Sequence, residues 1–163
     1  MPTEVLLKLY KSFIEPYLRY GLKVWLGGSQ YIEDSILILQ KKALRCIYKL
    51  PYNEHTSHYF KISRTLKISD LFDLNISVEM YKMFYYSMYD ELRSNILKHS
   101  DIHSHNTRNR NNFVLPFYSK TRSQKSMLYS GVKILNKNYK IIFESSSLCT
   151  CNKSLCNMYF CCY

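Results

Sequence analysis

The chain has 163 residues, of which 47% are hydrophobic and 15% aromatic, so it holds enough apolar material for a packed core and is not expected to be disordered. Its 23 Lys and Arg residues outnumber its 12 Asp and Glu residues, which gives a formal net charge of +11 at pH 7. A positive field of this size favours polyanionic partners, namely nucleic acid or an anionic membrane.

Membrane and secretory classes are disfavoured by the sequence. It contains no uncharged apolar run of about 18 residues, so we expect no transmembrane helix and no membrane partner. Charged residues between Lys8 and Lys23 interrupt the apolar N-terminus, which argues against a signal peptide. Cys46 stands alone and the other five cysteines crowd at the C-terminus, unlike a disulfide framework. We therefore expect an intracellular protein, nuclear or cytoplasmic.

Helical periodicity dominates the first half of the chain. Apolar residues recur every three or four positions from Thr3 to Leu26, which predicts one kinked helix or two, with the kink at Pro16. The glycine pair at 27–28 is expected to end this pattern. A second helix is predicted from about Tyr31 to Leu50, because Pro51 prevents continuation.

A short third helix is predicted over 57–67, followed by a long helix that Ser69 or Asp70 caps and that ends near Leu97. Five apolar residues of the long helix are spaced so that they share its inner face. They are Leu71, Leu74, Val78, Tyr81 and Tyr85.

The pattern changes after this helix. Residues 99–125 show no helical periodicity and are rich in Ser, Asn and Arg, which predicts an extended or loop-rich segment with a β-prone run at 113–115. A weaker helix is predicted over 126–138. Residues 145–163 show too little pattern for an assignment.

The second helix predicts a basic face. On a helix that turns 100° per residue, four cations fall within about 100° of one another, and an apolar set falls between about 160° and 240°. No acidic residue occurs from Ser35 to Asn53. Such a face either contacts phosphates or simply faces solvent. The cations are Lys41, Lys42, Arg45 and Lys49, and the apolar set is Ile32, Ile36, Leu39, Ala43 and Ile47.

Two stretches resemble a known family. The sequence LYKSFIEPYLRYGLKVW, residues 9–25, resembles the L-Y-x-S-x-I-x-P-Y-L-x-Y-G-x-x-V-W pattern that follows the polymerase core in reverse transcriptases of non-LTR (LINE-type) retrotransposons. LQKKALRCI, residues 39–47, is similar to that family's L-Q-K-K-A-x-R-x-I helix. A further match to H-x-Y-x-T-R has His in place of Tyr and is carried by His103, His105, Thr107 and Arg108.

The resemblance spans about residues 6–140 and weakens toward its end. There the family pattern G-P-K-x-W-N-x-L-P loses two prolines, a tryptophan and a leucine, replaced by Val132, Leu135, Asn138 and Tyr139. The resemblance implies that this chain corresponds to the thumb of the polymerase and to the region after the thumb, which grip the template and the primer. The polymerase palm holds Mg²⁺ on an Asp-Asp pair, and this chain contains no such pair. We therefore expect no enzyme activity from the chain on its own.

The stretch HSDIHSHNTRNRNN, residues 99–112, admits four interpretations. One is a catalytic cluster, which is disfavoured because no Ser or Cys nucleophile stands at a readable spacing. His99, Asp101, His103 and His105 could be metal ligands, but the Asn and Ser neighbours favour polar contacts to nucleic acid, with a solvated loop as the competing interpretation. We expect no metal site. The phosphate contacts are predicted for Thr107, Arg108 and Arg110, which with Lys120, Arg122 and Lys125 follow Asp101 with no acid before Glu144.

The cysteine spacing at 149–161 is similar to the later part of a zinc knuckle, although its first gap is one residue short and Cys replaces His. A disordered, thiol-rich tail is the favoured interpretation.

These expectations combine into a mainly α chain: a helical thumb-like bundle over 1–98, a basic loop-rich segment over 99–144 and a Cys-rich disordered tail over 145–163. The expected function is nucleic-acid binding, to template RNA, DNA or their hybrid duplex, as part of a retrotransposon RNA-directed DNA polymerase. The alternative is a helical protein-interaction or structural domain with solvated basic faces. No cofactor and no small-molecule substrate are expected.

Overall fold

A computed structural model describes residues 1–25 and 30–161, so the glycine pair at 27–28 lies outside the described residues. Helices dominate this part of the chain, and its one β-pairing is an isolated antiparallel bridge between Lys98 and Phe113. The prediction of a mainly α chain is confirmed. The α-helices are α1 (Thr3–Leu9), α2 (Glu15–Trp25), α3 (Gln30–Tyr48), α4 (Ser57–Ile62), α5 (Ile68–Tyr85), α6 (Asp90–Arg93), α7 (His99–Ile102), α8 (Thr121–Gln124), α9 (Met127–Glu144) and α10 (Leu148–Cys161).

None of the helices described is long and apolar enough to cross a membrane. The chain divides into two compact units, which are residues 1–72 with 156–163 (unit 1) and residues 73–155 (unit 2). The predicted boundaries at 98 and 144 are not the positions at which these units divide.

The first two helices are joined by a π-helical turn, Tyr10–Ile14, in which the Glu15 N–H donates to the Tyr10 carbonyl. This wider turn lies immediately before Pro16, whose ring crowds the carbonyl four residues back and whose nitrogen has no hydrogen to donate. The structure therefore accommodates the proline with a π-helical turn, where the sequence predicted a kink.

The core of unit 1 forms where α3 and α4 meet the start of the π-helical turn. Tyr10, Leu44, Ile47 and Phe60 are buried together, and partly buried apolar residues pack around them. These neighbours are Leu6, Leu7, Leu37, Ala43 and Tyr48.

A buried glutamine connects three segments of unit 1. The Gln40 side chain donates to the Tyr10 hydroxyl and to the Leu66 carbonyl, both at 3.3 Å, and accepts the Ile68 N–H at 2.9 Å. It therefore satisfies a backbone donor in the first turn of α5, where the sequence predicted a cap from Ser69 or Asp70. Burial raises the pKa of the Tyr10 hydroxyl, and the Gln40 hydrogen bond opposes this shift.

The long helix α5 ends at Tyr85, although the sequence predicted an end near Leu97. Soon after its end, Ser87 and Tyr89 adopt left-handed backbone angles, with φ of 49° and 68°. A left-handed residue cannot continue a right-handed helix, so the chain turns and restarts as the short α6.

Unit 2 packs α5 closely against α9. A Cβ on Gly131 would lie 2.3 Å from the Met80 Cε, so glycine permits this approach. The Ser126 side chain caps α9 by accepting the Tyr129 N–H at 3.4 Å. The predicted helix end at Asn138 is a kink in the structure, and the helix continues to Glu144. The buried apolar residues of unit 2 include Leu74, Met80, Met83, Phe113, Val132, Leu135, Ile142, Cys151 and Leu155.

The prediction of a disordered tail is wrong for residues 148–161, which form α10. A small capping network starts this helix, since the Ser147 hydroxyl accepts the Thr150 N–H at 3.2 Å and the Thr150 hydroxyl accepts the Ser147 N–H at 3.0 Å. Cys151 and Leu155 are fully buried. The sparse apolar residues of the tail are therefore sufficient to bury one side of a helix.

Candidate nucleic-acid interface

The four cations predicted to share one face of the second helix, here named the α3 stripe, are Lys41, Lys42, Arg45 and Lys49. The structure exposes only part of this stripe. Lys42 and Lys49 are exposed, whereas Lys41 and Arg45 are half-buried. The exposed pair are solvated cations that can approach a phosphate without losing a protein partner.

Arg45 instead holds the loop after α3. Its guanidinium donates to the Glu54 carbonyl from Nε at 3.3 Å and from Nη2 at 3.1 Å, and its Cζ lies 5.7 Å from the centre of the Tyr52 ring. The same loop is fixed a second time, because the Tyr59 hydroxyl donates to the Glu54 carboxylate at 2.9 Å, which raises the pKa of Tyr59. Arg45 therefore has a structural role that the predicted stripe did not include.

Lys49 lies one position beyond the end of α3. Its φ is 54°, and the Leu50 N–H donates to the Arg45 carbonyl at 2.9 Å, which is the Schellman arrangement of a helix C-terminus. Pro51 follows at once. Because Lys49 has left the helix, its direction is set by this turn and not by the helical angle that placed it in the stripe.

The buried face of α3 is also rotated from the predicted one. Gln40, Leu44 and Ile47 are its buried residues, and they centre about 65° from the predicted apolar set. Part of that set remains exposed, including Leu39 at 62%. Leu39 also lines a groove of about 480 Å³ in unit 1. The residues that line this groove are Tyr10, Ile14, Tyr17, Leu18, Ile32, Ile36, Leu39, Gln40 and Ala43.

The second predicted contact set lies on residues 103–112, here named the 103–112 loop. Its two ends are held together by backbone hydrogen bonds: Val114 N–H to the Leu97 carbonyl at 2.8 Å, and His99 N–H to the Asn112 carbonyl at 3.0 Å. The Ser100 N–H also donates to the Arg110 carbonyl at 3.0 Å. The loop therefore projects from a fixed base.

Asn136 of α9 fixes this base from the side. Its Oδ1 accepts the Phe113 N–H at 2.8 Å, and its Nδ2 donates to the Phe113 carbonyl at 2.9 Å. One side-chain amide thus pairs with both polar groups of one backbone residue, as a neighbouring strand would. The Lys98 Nζ lies 5.4 Å from the centre of the buried Phe113 ring and adds a cation–π contact.

Thr107, Arg108 and Arg110 are all exposed at the far part of the loop. The Arg110 N–H donates to the Thr107 carbonyl at 3.1 Å, which forms a turn. The structure therefore brings together the three residues that the sequence assigned to phosphate contacts, and their side chains face solvent.

The histidines form a row in which neighbouring rings are close. The ring centres of His99 and His103 are 6.0 Å apart, and those of His103 and His105 are 6.2 Å apart. The Nδ1 atom of His103 is buried without a hydrogen-bond partner. Across the two described stretches, 1–25 and 30–161, no group of three or more His, Cys, Asp or Glu side chains is placed to hold a metal ion.

The cysteines of the tail are spread around α10. Cys149 and Cys161 are exposed, Cys156 is half-buried and Cys151 is buried, and burial raises the pKa of the Cys151 thiol. Among the described residues, these cysteines are not part of any group of three or more side chains placed to hold a metal ion.

The α3 stripe belongs to unit 1 and the 103–112 loop to unit 2, so each is a separate candidate surface. Sequence reasoning gave Asn136 only as a match to the family pattern and missed its structural role, because an asparagine in a helix carries no signal of a partner 23 residues away. It also missed the exposure of Phe117, which is 92% accessible. An aromatic residue that directly follows a proline within a segment that is basic and free of acidic residues is a signal that could have identified it.

Comparisons of this chain with protein-family models, with curated proteins and with solved structures found no match.

Proposed function

We propose that this chain binds nucleic acid, and that it is the non-catalytic thumb and post-polymerase part of a retrotransposon RNA-directed DNA polymerase. The binding proposal rests mainly on one observation: Thr107, Arg108 and Arg110 are exposed on a loop whose base is fixed by the Lys98–Phe113 bridge and by Asn136. A fixed base reduces the entropy that the loop loses on binding.

Two further observations support the proposal that the chain binds nucleic acid. Residues 102–143 contain eight Lys and Arg residues and no Asp or Glu, so the loop lies in a segment without internal charge compensation. Lys42 and Lys49 are exposed on or beside α3. The relation to the polymerase family is carried by the resemblance of residues 9–25, 39–47 and 103–108.

The competing function is protein interaction through a helical domain. The observation that favours it is the apolar groove of unit 1, beside which Leu39 and Tyr17 are 62% and 66% exposed. Apolar grooves of several hundred Å³ are common binding sites. Under this alternative, the exposed cations would only keep the chain soluble.

The two functions differ in their response to salt. Binding of the full chain to labelled single strand, duplex and RNA–DNA hybrid is measured by fluorescence anisotropy between about 50 and 200 mM salt. If Arg108 and Arg110 each contact a duplex phosphate, the 103–112 loop contributes about −1.8 to the log–log slope, at about 0.9 per phosphate, and Lys42 and Lys49 would contribute the same amount as a separate surface. Binding that is absent, or that is independent of salt, would contradict the proposed function and favour the alternative.

A primer-extension assay tests the non-catalytic part of the proposal. The chain lacks an Asp-Asp pair, so purified protein is expected to extend no primer with Mg²⁺ or Mn²⁺. Template-dependent incorporation above the buffer control would overturn this part while leaving the binding proposal standing.

A further inference from the structure

Phe117 is the most exposed large hydrophobic residue among those described, at 92%. Phenylalanine has no polar group with which to interact with water, so this exposure has an unfavourable hydration cost. Along the segment from 113 to 119, exposure alternates, with Leu115 and Phe117 facing outward and their neighbours more buried. The ring is therefore presented on the outer side of an extended segment.

The backbone that carries this ring is held on both sides. Before it, the Val114 N–H donates to the Leu97 carbonyl at 2.8 Å, and Pro116 has a fixed φ. After it, the Gln124 side chain donates to the Tyr118 carbonyl at 2.8 Å. The Tyr118 ring lies 6.2 Å from the Tyr129 ring, centre to centre. An outward ring on a fixed backbone loses little entropy when a flat partner stacks on it.

The chemical surroundings of Phe117 are basic. It lies in the acid-free segment 102–143, three residues before the exposed Lys120 and in the same unit as Arg108 and Arg110. The 103–112 loop also exposes asparagines, whose amides can donate to and accept from base edges. Cations for phosphates combined with an exposed aromatic ring are the chemistry of single-strand binding.

We propose that Phe117 stacks on an unpaired base, so that unit 2 binds single-stranded nucleic acid in preference to duplex. The inference rests on the proposed nucleic-acid function and deepens it by naming the strand class. In a duplex, both faces of every internal base are covered by the next base pair, so an outward aromatic ring has no free face to contact. A single strand offers such faces together with its phosphates.

The test compares Phe117→Ala with Phe13→Ala in the full chain. Phe13 is 71% exposed on the π-helical turn of unit 1, so the control removes the same exposed ring from a different surface. Phe117→Trp and Phe117→Tyr retain an aromatic face. Each protein is titrated with a single strand and with a blunt duplex of the same sequence over a range of salt. Far-UV circular dichroism confirms that each variant keeps its helices.

The parent is expected to bind the single strand more tightly than the duplex. Phe117→Ala is expected to weaken single-strand binding by roughly 5- to 150-fold, as for the loss of one stacked base. Its duplex affinity and its salt slope should not change, because phenylalanine neutralises no phosphate. Phe117→Trp and Phe117→Tyr should bind like the parent, and so should Phe13→Ala.

Several results would overturn the stacking proposal. They are a duplex preference of the parent, single-strand binding by Phe117→Ala equal to that of the parent, or an equal loss on both substrates. In each case a steep salt slope of the parent would leave the proposed function intact. A parent that binds no nucleic acid would end both proposals and leave Phe117 as a contact for an apolar protein partner.

Discussion

The α3 stripe and the 103–112 loop expose their cations in different ways. On α3, the helix places Arg45 where its guanidinium can hold the Glu54 carbonyl, so one of the four basic residues stabilises the fold. In the loop, the fold is held at the base by Asn136, and Arg108 and Arg110 remain exposed beyond it. The comparison shows that a basic residue is available for a ligand when other residues fix the backbone around it.

The largest effect is expected from removing the support of the loop. Asn136→Leu keeps the number and branching of the side-chain heavy atoms but leaves the Phe113 N–H and carbonyl unpaired, so the free energy of unfolding should fall by about 2–4 kcal/mol. Urea unfolding measures this change. Asn112→Ala is the control, because the Asn112 amide bonds only to the exposed Asn109 side chain, at 3.3 Å. Equal stability losses in the two variants would show that Asn136 does not hold the loop.

A smaller loss of stability is expected from Arg45. Arg45→Met keeps an apolar stem but removes the donors to the Glu54 carbonyl, which should lower the free energy of unfolding by about 1–2 kcal/mol. Lys42→Met is the matched control and should stay within about 0.5 kcal/mol, because Lys42 is exposed. The salt slope of nucleic-acid binding should fall in Lys42→Met and should change less in Arg45→Met. A slope that falls in Arg45→Met and not in Lys42→Met would show that Arg45, and not Lys42, contacts the phosphates.

The smallest effect concerns the turn at the end of α3. Lys49 has a φ of 54°, which glycine adopts without the steric cost of a Cβ, so Lys49→Gly should be about 1 kcal/mol more stable than Lys49→Ala. Both variants lose the same charge, which makes Ala the control. Arg64, with a φ of 48°, offers the same pair of variants at the end of α4. If Gly and Ala are equally stable at both positions, the left-handed turns carry no strain.

Sequence patterns predicted the helices best where apolar periodicity was continuous. The end of α3 was predicted within two residues, at Leu50 against Tyr48 in the structure, because the following Pro51 limits that helix. The end of α5 was missed, because the helix stops at left-handed residues that no glycine or proline announces. The tail helix was missed for a different reason: its buried residues, Cys151, Leu155 and Tyr159, do recur every four positions, but a cysteine and two apolar residues in a Ser- and Asn-rich stretch make a short and weak period.

The candidate site was partly predictable. Exposure of Thr107, Arg108 and Arg110 follows from their polar, aperiodic context, and the structure agrees. The role of Arg45 was not predictable, because a helical angle gives the face of a residue but not the loop that folds back onto it. The relation to reverse transcriptases stays a prediction from the resemblance.

The central claim is that the 103–112 loop contacts phosphates. The most direct measurement is the salt slope of single-strand binding for Arg108→Gln/Arg110→Gln, beside the control Lys8→Gln/Lys61→Gln, which removes two exposed lysines of unit 1. The account predicts that the loop variant loses about 1.4 from the magnitude of the slope, at about 0.7 per phosphate of a single strand, and that the control loses none. Equal slopes for the parent, the control and the loop variant would contradict it.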